Sequence, residues 1–164
     1  MHIVNYPAKG KARLRIGRHS DPGRIYLVTF VTAGRRRVFD RWEIALVASR
    51  VLSVNALWLD SRLLCWVLMP DHWHGLIELG ATESLSTLVG RLKGTMAFST
   101  NLACGCKGPL WTRGFHDHAL RSNDDLVDAA RYIVLNPVRA GLVLRVGLYP
   151  FWDAVCLSGR EHRG

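Results

Sequence analysis

The sequence predicts an α+β domain of order β-α-β-β-α-β: an antiparallel sheet with helices on one face, followed by one further helix toward the C-terminus. Three observations carry that reading. Short runs rich in β-branched and aromatic residues alternate with longer segments whose apolar residues recur every three or four positions. The runs "RLLCWVLM" (62–69) and "HWHGLIEL" (72–79) are separated only by Pro70-Asp71, a tight hairpin connection. The chain has 164 residues, 49% of them hydrophobic, and a mean hydropathy of +0.07, enough for one domain with its own core.

Each element has a local reason. Residues 1–23 read as a basic arm carrying Lys9, Lys11, Arg13, Arg15 and Arg18 with almost no acid. "RIYLVTFVTAG" (24–34) is a strand stopped by Gly34, and the basic connection "RRRVF" follows, with Arg35, Arg36 and Arg37. Residues 40–56 place Trp42, Ala45, Leu46, Ser49 and Leu52 at helical spacing, with Asp40 available as N-cap. After the hairpin, "SLSTLVGRLKGTMAFSTNL" (84–102) forms an amphipathic helix with Leu85, Leu88, Val89 and Leu92 on one face and Arg91 and Lys93 elsewhere. "CGCKGP" is a loop leading into "LWTRGFHDHALR" (110–121), a loop and then a short strand. The last helix begins at Ser122, whose spacing to Asp125 is that of a capping box, and is stopped by Pro137. The strand and helix order is the ferredoxin-like one, with the domain at 24–145 and a C-terminal tail at 146–164.

Charge narrows the partner. Twenty-two Lys plus Arg against 13 Asp plus Glu give a net charge of +9 and a pI near 10.0. An excess of that size favours a polyanion, and its arginine weighting suits phosphate. No apolar run reaches the roughly 18 residues that span a bilayer, and the opening residues lack a secretory pattern, so a cytoplasmic location is expected. The four cysteines do not make a small-domain disulfide framework.

The chemistry is concentrated in "PDHWHGLIEL". Residues i and i+2 of a strand share a face, so His72 and His74 stand side by side while Trp73, Ile77 and Leu79 point to the opposite one. Two such imidazoles can converge on one metal ion, and burying them without a partner is costly. Two ligands leave the site incomplete. On the last helix, Tyr132 and Asn136 are four apart and flank the apolar stripe of Leu126, Ala130 and Ile133. Taken alone, Tyr132 reads as an amphipathic residue at the edge of a core.

The ordered set "WVLMPDHWHGLIEL", "LWTRGFHDHALR" and "AARYIVLNPVRAGLV" resembles the REP-associated tyrosine transposases (RAYT). That is an IS200-like group within the single-tyrosine HUH endonucleases, and the resemblance runs from about Arg24 to Val143. It implies that His72 and His74 bind a divalent metal, Mg²⁺ or Mn²⁺, assisted by Asn136. It implies that Tyr132 is the nucleophile, joining DNA through a 5′-phosphotyrosine during transposition. The implied partner is single-stranded, hairpin-forming palindromic DNA, in the nucleoid, with no membrane and with either a monomer or a homodimer. Trp73 is bulkier than the aliphatic residue more usual between the two histidines. Candidate DNA contacts are Arg13, Arg15, Arg35, Arg36, Arg37, Arg91, Lys93, Arg113 and Arg121, together with the second same-face pair His116 and His118. Trp111 and Phe115 serve either as base-stacking platforms or as core. Three rival readings remain: a catalytically silent hairpin-binding protein on the same fold, a hydrolytic metal nuclease, and a zinc protein using Cys104, Cys106, His116 and His118.

Overall fold

The computed structural model describes residues 20–121 and 123–155. Most of the basic arm, including Arg13 and Arg15, lies outside the described residues, as do Ser122 and the last nine residues of the tail. Five strands form one antiparallel sheet in the order β4-β1-β3-β2-β5. They are β1 (Ile25–Val31), β2 (Arg62–Met69), β3 (His72–Glu78), β4 (His116–Ala119) and β5 (Trp152–Ala154). The helices are α1 (Trp42–Val51), α2 (Asn55–Trp58), α3 (Leu85–Cys104), α4 (Asn123–Val134) and α5 (Asn136–Arg139). The first four strands have the expected ferredoxin-like arrangement. Among the described residues no helix is long and apolar enough to cross a membrane.

Both faces of the sheet are covered, which is why its strands read as nearly continuous apolar runs. On one face Tyr26, Val28, Phe30, Leu68, Trp73 and Ile77 pack beneath α1 and α3. On the other, Leu27, Val67, Met69 and Leu76 pack beneath Ala129, Ala130 and Ile133 of α4. The alternation in β3 divides its side chains as the sequence predicts, with Trp73 and Ile77 in the first core and Leu76 in the second. Trp73 stacks on Phe30 at 4.9 Å between ring centroids, and Trp111 meets Phe30 edge-on at 4.6 Å. The Trp73 indole lies over Gly75, so a Cβ there would stand 2.0 Å from the ring.

Helix ends explain two departures from the sequence reading. Asp40 does not cap α1; it closes a 3₁₀ turn, Val38–Asp40, and its carboxylate accepts two hydrogen bonds from Arg37. The residue before α1 is Arg41, with no side-chain cap. By contrast, Ser84 does cap α3, its hydroxyl accepting from the Thr87 amide at 3.2 Å, and left-handed Gly105 ends it. The last long helix ends at Val134, just before Pro137, but the proline does not end helical structure: it sits in the first turn of α5, where its missing N–H leaves no bond unmade. The tail is partly structural: β5 pairs with β2, Phe151 is buried, and the Tyr149 hydroxyl donates to the Leu68 carbonyl at 2.6 Å.

Gly75→Ala should lower the unfolding free energy by about 1–3 kcal/mol, because the added methyl displaces Trp73 from its stack. Urea denaturation of the two proteins checks this; an unchanged midpoint would show that the indole moves aside freely.

Candidate active site

Strand register brings the predicted residues together. Pairing of β1 with β3 sets Thr29 opposite His74 and Val31 opposite His72, while β2 sets Val67 and Met69 opposite the same two histidines. Directly opposed residues share a face, so both imidazoles stand on the α4 side. Their ring centroids are 4.7 Å apart and nearly perpendicular. The Tyr132 ring, on the last turn of α4, lies 6.2 Å from that of His74. Asn136 begins α5, and its side-chain N–H donates to the Tyr132 carbonyl at 3.4 Å, leaving the amide oxygen as its ligand-capable atom.

Each imidazole is anchored by its Nδ1. His72 Nδ1 lies 2.6 Å from Asp71 Oδ1, and His74 Nδ1 lies 2.6 Å from Thr29 Oγ1. Partial burial works to raise the Asp71 carboxyl, but the hydrogen bond and charge of His72, with Arg35 beyond, outweigh it and hold Asp71 below the usual carboxylate range. An ionised carboxylate only accepts, so His72 Nδ1 carries the proton and Nε2 carries the lone pair. The Asp71 backbone is itself pinned, its carbonyl accepting from the Thr32 amide at 2.9 Å and hydroxyl at 3.1 Å. Burial pushes His72 below its ordinary value and His74 well below it, with the charges of His72, Arg139 and Arg35 adding to the effect at His74. Two imidazoles held neutral and anchored at Nδ1, beside an amide oxygen, suit a divalent cation.

Several candidate DNA contacts prove to be tied into the fold. Arg91 pairs with Glu83 and donates to the Leu57 carbonyl, and Lys93 donates to the carbonyls of Thr112 at 2.8 Å and Gly114 at 2.5 Å. Arg36 donates to Pro109 and Ala33, while Arg37 holds Asp40. Arg35, Arg113 and Arg121 are exposed, and Arg35 reaches Asp71 at 3.5 Å from a backbone with φ of 55°. Trp111 and Phe115 are buried in the core rather than presented for stacking. His116 and His118 lie on the same sheet face as the first pair, since Thr29 and Leu27 oppose them across β4. Among the described residues no group of three or more His, Cys, Asp or Glu side chains comes together, and the Cys104 and Cys106 sulfurs are bonded to each other.

Sequence reading missed three residues of the site. Asp71 carried a signal, an acid adjoining the histidine pair in the turn. Thr29 carried none, since its place depends on strand register. Arg139 lies with its guanidinium 3.8 Å from the centroid of the Tyr132 ring, seven positions further on and across a helix break that the sequence reading took for a stop.

This sheet, with its paired histidines facing a tyrosine-bearing helix, is the framework of a transposase domain. Residues 23–135, more than half of the chain, match the family described as "Transposase IS200 like", and the chain belongs to that family. It is 34% identical over 86 residues to the REP-associated tyrosine transposase of Escherichia coli K12, covering 52% of this chain and 50% of that one. The match thus spans about half the length of that relative. Its fold is similar to that of a REP-associated tyrosine transposase bound to a REP hairpin, with a TM-score of 0.65 and 23% identity over 84% of this chain and 81% of that one. A candidate transposase from Deinococcus radiodurans R1 has a TM-score of 0.52 and 22% identity, over 73% of this chain and 95% of that one.

The lowered histidines make stability depend on pH in a defined direction. Between their folded values and 6.5 the unfolded chain binds more protons, so their contribution is complete above about pH 6.5 and is lost as pH falls. Thermal melts should therefore decline below that pH more steeply for the wild type than for His74→Gln. Parallel curves would contradict the assignment, because the carboxylates common to both proteins cancel in the comparison.

Proposed function

We propose that this chain is a tyrosine transposase that nicks and rejoins single-stranded, hairpin-forming DNA through a covalent link to Tyr132. The observation that carries the reading is the placement of the Tyr132 ring 6.2 Å from that of His74, one of a histidine pair whose Nδ1 atoms are both anchored. Family membership supports it, and the hairpin named for the structural relative indicates which form of DNA to test.

His72, His74 and Asn136 would hold a divalent cation, Mg²⁺ or Mn²⁺, which when bound makes the scissile phosphate more electrophilic. Asp71 and Thr29 keep the two ring nitrogens directed, so the ligands need no reorganisation as DNA arrives. The Tyr132 oxygen attacks phosphorus in line and gives up its proton. The bond to the 3′ oxygen breaks, and that oxygen takes a proton to become a free 3′-OH. A phosphodiester bond is exchanged for a phosphotyrosine bond of similar energy, so the reverse step rejoins strands without ATP.

Labelled single-stranded hairpins incubated with Mn²⁺ or Mg²⁺ should yield a DNA band shifted by the protein's mass on denaturing gels, and Tyr132→Phe should abolish it. Cleavage that persists in Tyr132→Phe without the covalent band would indicate a hydrolytic nuclease instead. Binding without cleavage on every hairpin tested would indicate a silent hairpin-binding protein.

The two classes of basic residue should separate in the same material. Arg113→Ala should weaken hairpin binding and reduce the dependence of log K on log salt by about one. Lys93→Met should leave that slope unchanged and lower the unfolding free energy by about 1–3 kcal/mol, since two carbonyls lose their donor. Binding titrations across salt, paired with denaturation, distinguish them.

A further inference from the structure

The sequence "YIVLNPVR" folds as a helix, a break and a second helix. The Leu135 amide still bonds back to Arg131 at 3.0 Å, and α5 then restarts at Asn136, with Pro137 buried at the joint. In a straight helix, residues seven apart are separated by about 10.5 Å of rise. The long Arg139 side chain reaches back along this distance and places its guanidinium carbon 3.8 Å from the centroid of the Tyr132 ring, within cation–π range. Asn136 ties the same joint together through its bond to the Tyr132 carbonyl.

Two other arginines near this site are paired with carboxylates: Arg35, whose charge also reaches His74, with Asp71, and Arg131, next to Tyr132, with Asp128. Among the described residues no carboxylate forms an ion pair with Arg139, and the residue is exposed. Its guanidinium carbon lies over the Tyr132 ring, and the residue's exposure leaves N–H groups within reach of solvent and of an anion.

We propose that Arg139 is a positioning residue for Tyr132: stacked on the ring, it holds the phenol for attack, and its free edge meets a phosphate of the bound DNA strand. This rests on the reading of Tyr132 as nucleophile. The stack separates the roles of two neighbours, Asn136 acting at the backbone of Tyr132 and Arg139 at its side chain.

The test compares Arg139→Ala and Arg139→Lys with the wild type on a labelled hairpin, reading the affinity and the rate of covalent product at saturating DNA. Arg139→Ala should lower the saturating rate by about tenfold or more while weakening binding only about threefold. Arg139→Lys should fall between the two, because an ammonium keeps the charge but not the flat stack. Saturating rates within about twofold of wild type for both variants would overturn the proposal, as would a loss confined to affinity. Fluorine NMR of protein labelled with 3-fluorotyrosine, which has four tyrosines to resolve, supplies a readout that needs no catalysis. The signal missing in Tyr132→Phe should move in Arg139→Ala, and an unmoved signal would again overturn the proposal. If the wild type forms no covalent product, the transposase mechanism fails while the NMR result still decides whether Arg139 holds Tyr132.

Discussion

The register of β1 against β3 is the constraint on which the rest of the site depends. Side chains alternate between faces with period two, so a slip of one residue would exchange every partner. With Thr29 opposite His74, the two histidines face α4, Trp73 enters the opposite core, and the Thr29 hydroxyl reaches His74 Nδ1. The wrong register would bury two imidazoles beneath α1 and α3 and bring the Trp73 indole up against α4. The large apolar residues of β1, Tyr26, Val28 and Phe30, act against that slip because they too belong to the first core.

Both faces of the sheet are packed, and the two cores do different work. The core beneath α1 and α3 contains the large aromatics and gives the strands a rigid floor. The core beneath α4 is built from smaller residues, Ala129 and Ala130 among them, which let the helix approach the sheet closely. Tyr132 and Asn136 sit beside this close contact and not within it, so packing fixes their backbone while their polar ends stay at the edge.

Much of this was legible in the sequence, for a physical reason in each case. β2 and β3 begin and end where their apolar runs and the two-residue turn dictate, because turn length leaves little freedom. The histidine pair and the tyrosine stood out because period two and period 3.6 are strict geometric rules. Asp40 misled because a capping residue is equally able to bind a neighbouring arginine, and Arg37 lay three positions away. Pro137 misled because the same residue ends one helix and suits the first turn of another. The basic residues were the least legible. Net charge counts Arg91 and Lys93 like any others, and only the fold reveals that both are spent on its own carboxylates and carbonyls.

The helix that carries Tyr132 is also the cover of the smaller of the two cores. Were α4 to lift away, Leu27, Val67, Met69 and Leu76 would be left facing water. Any rearrangement that carries the tyrosine elsewhere therefore needs a substitute of matching shape and apolarity to settle in its place.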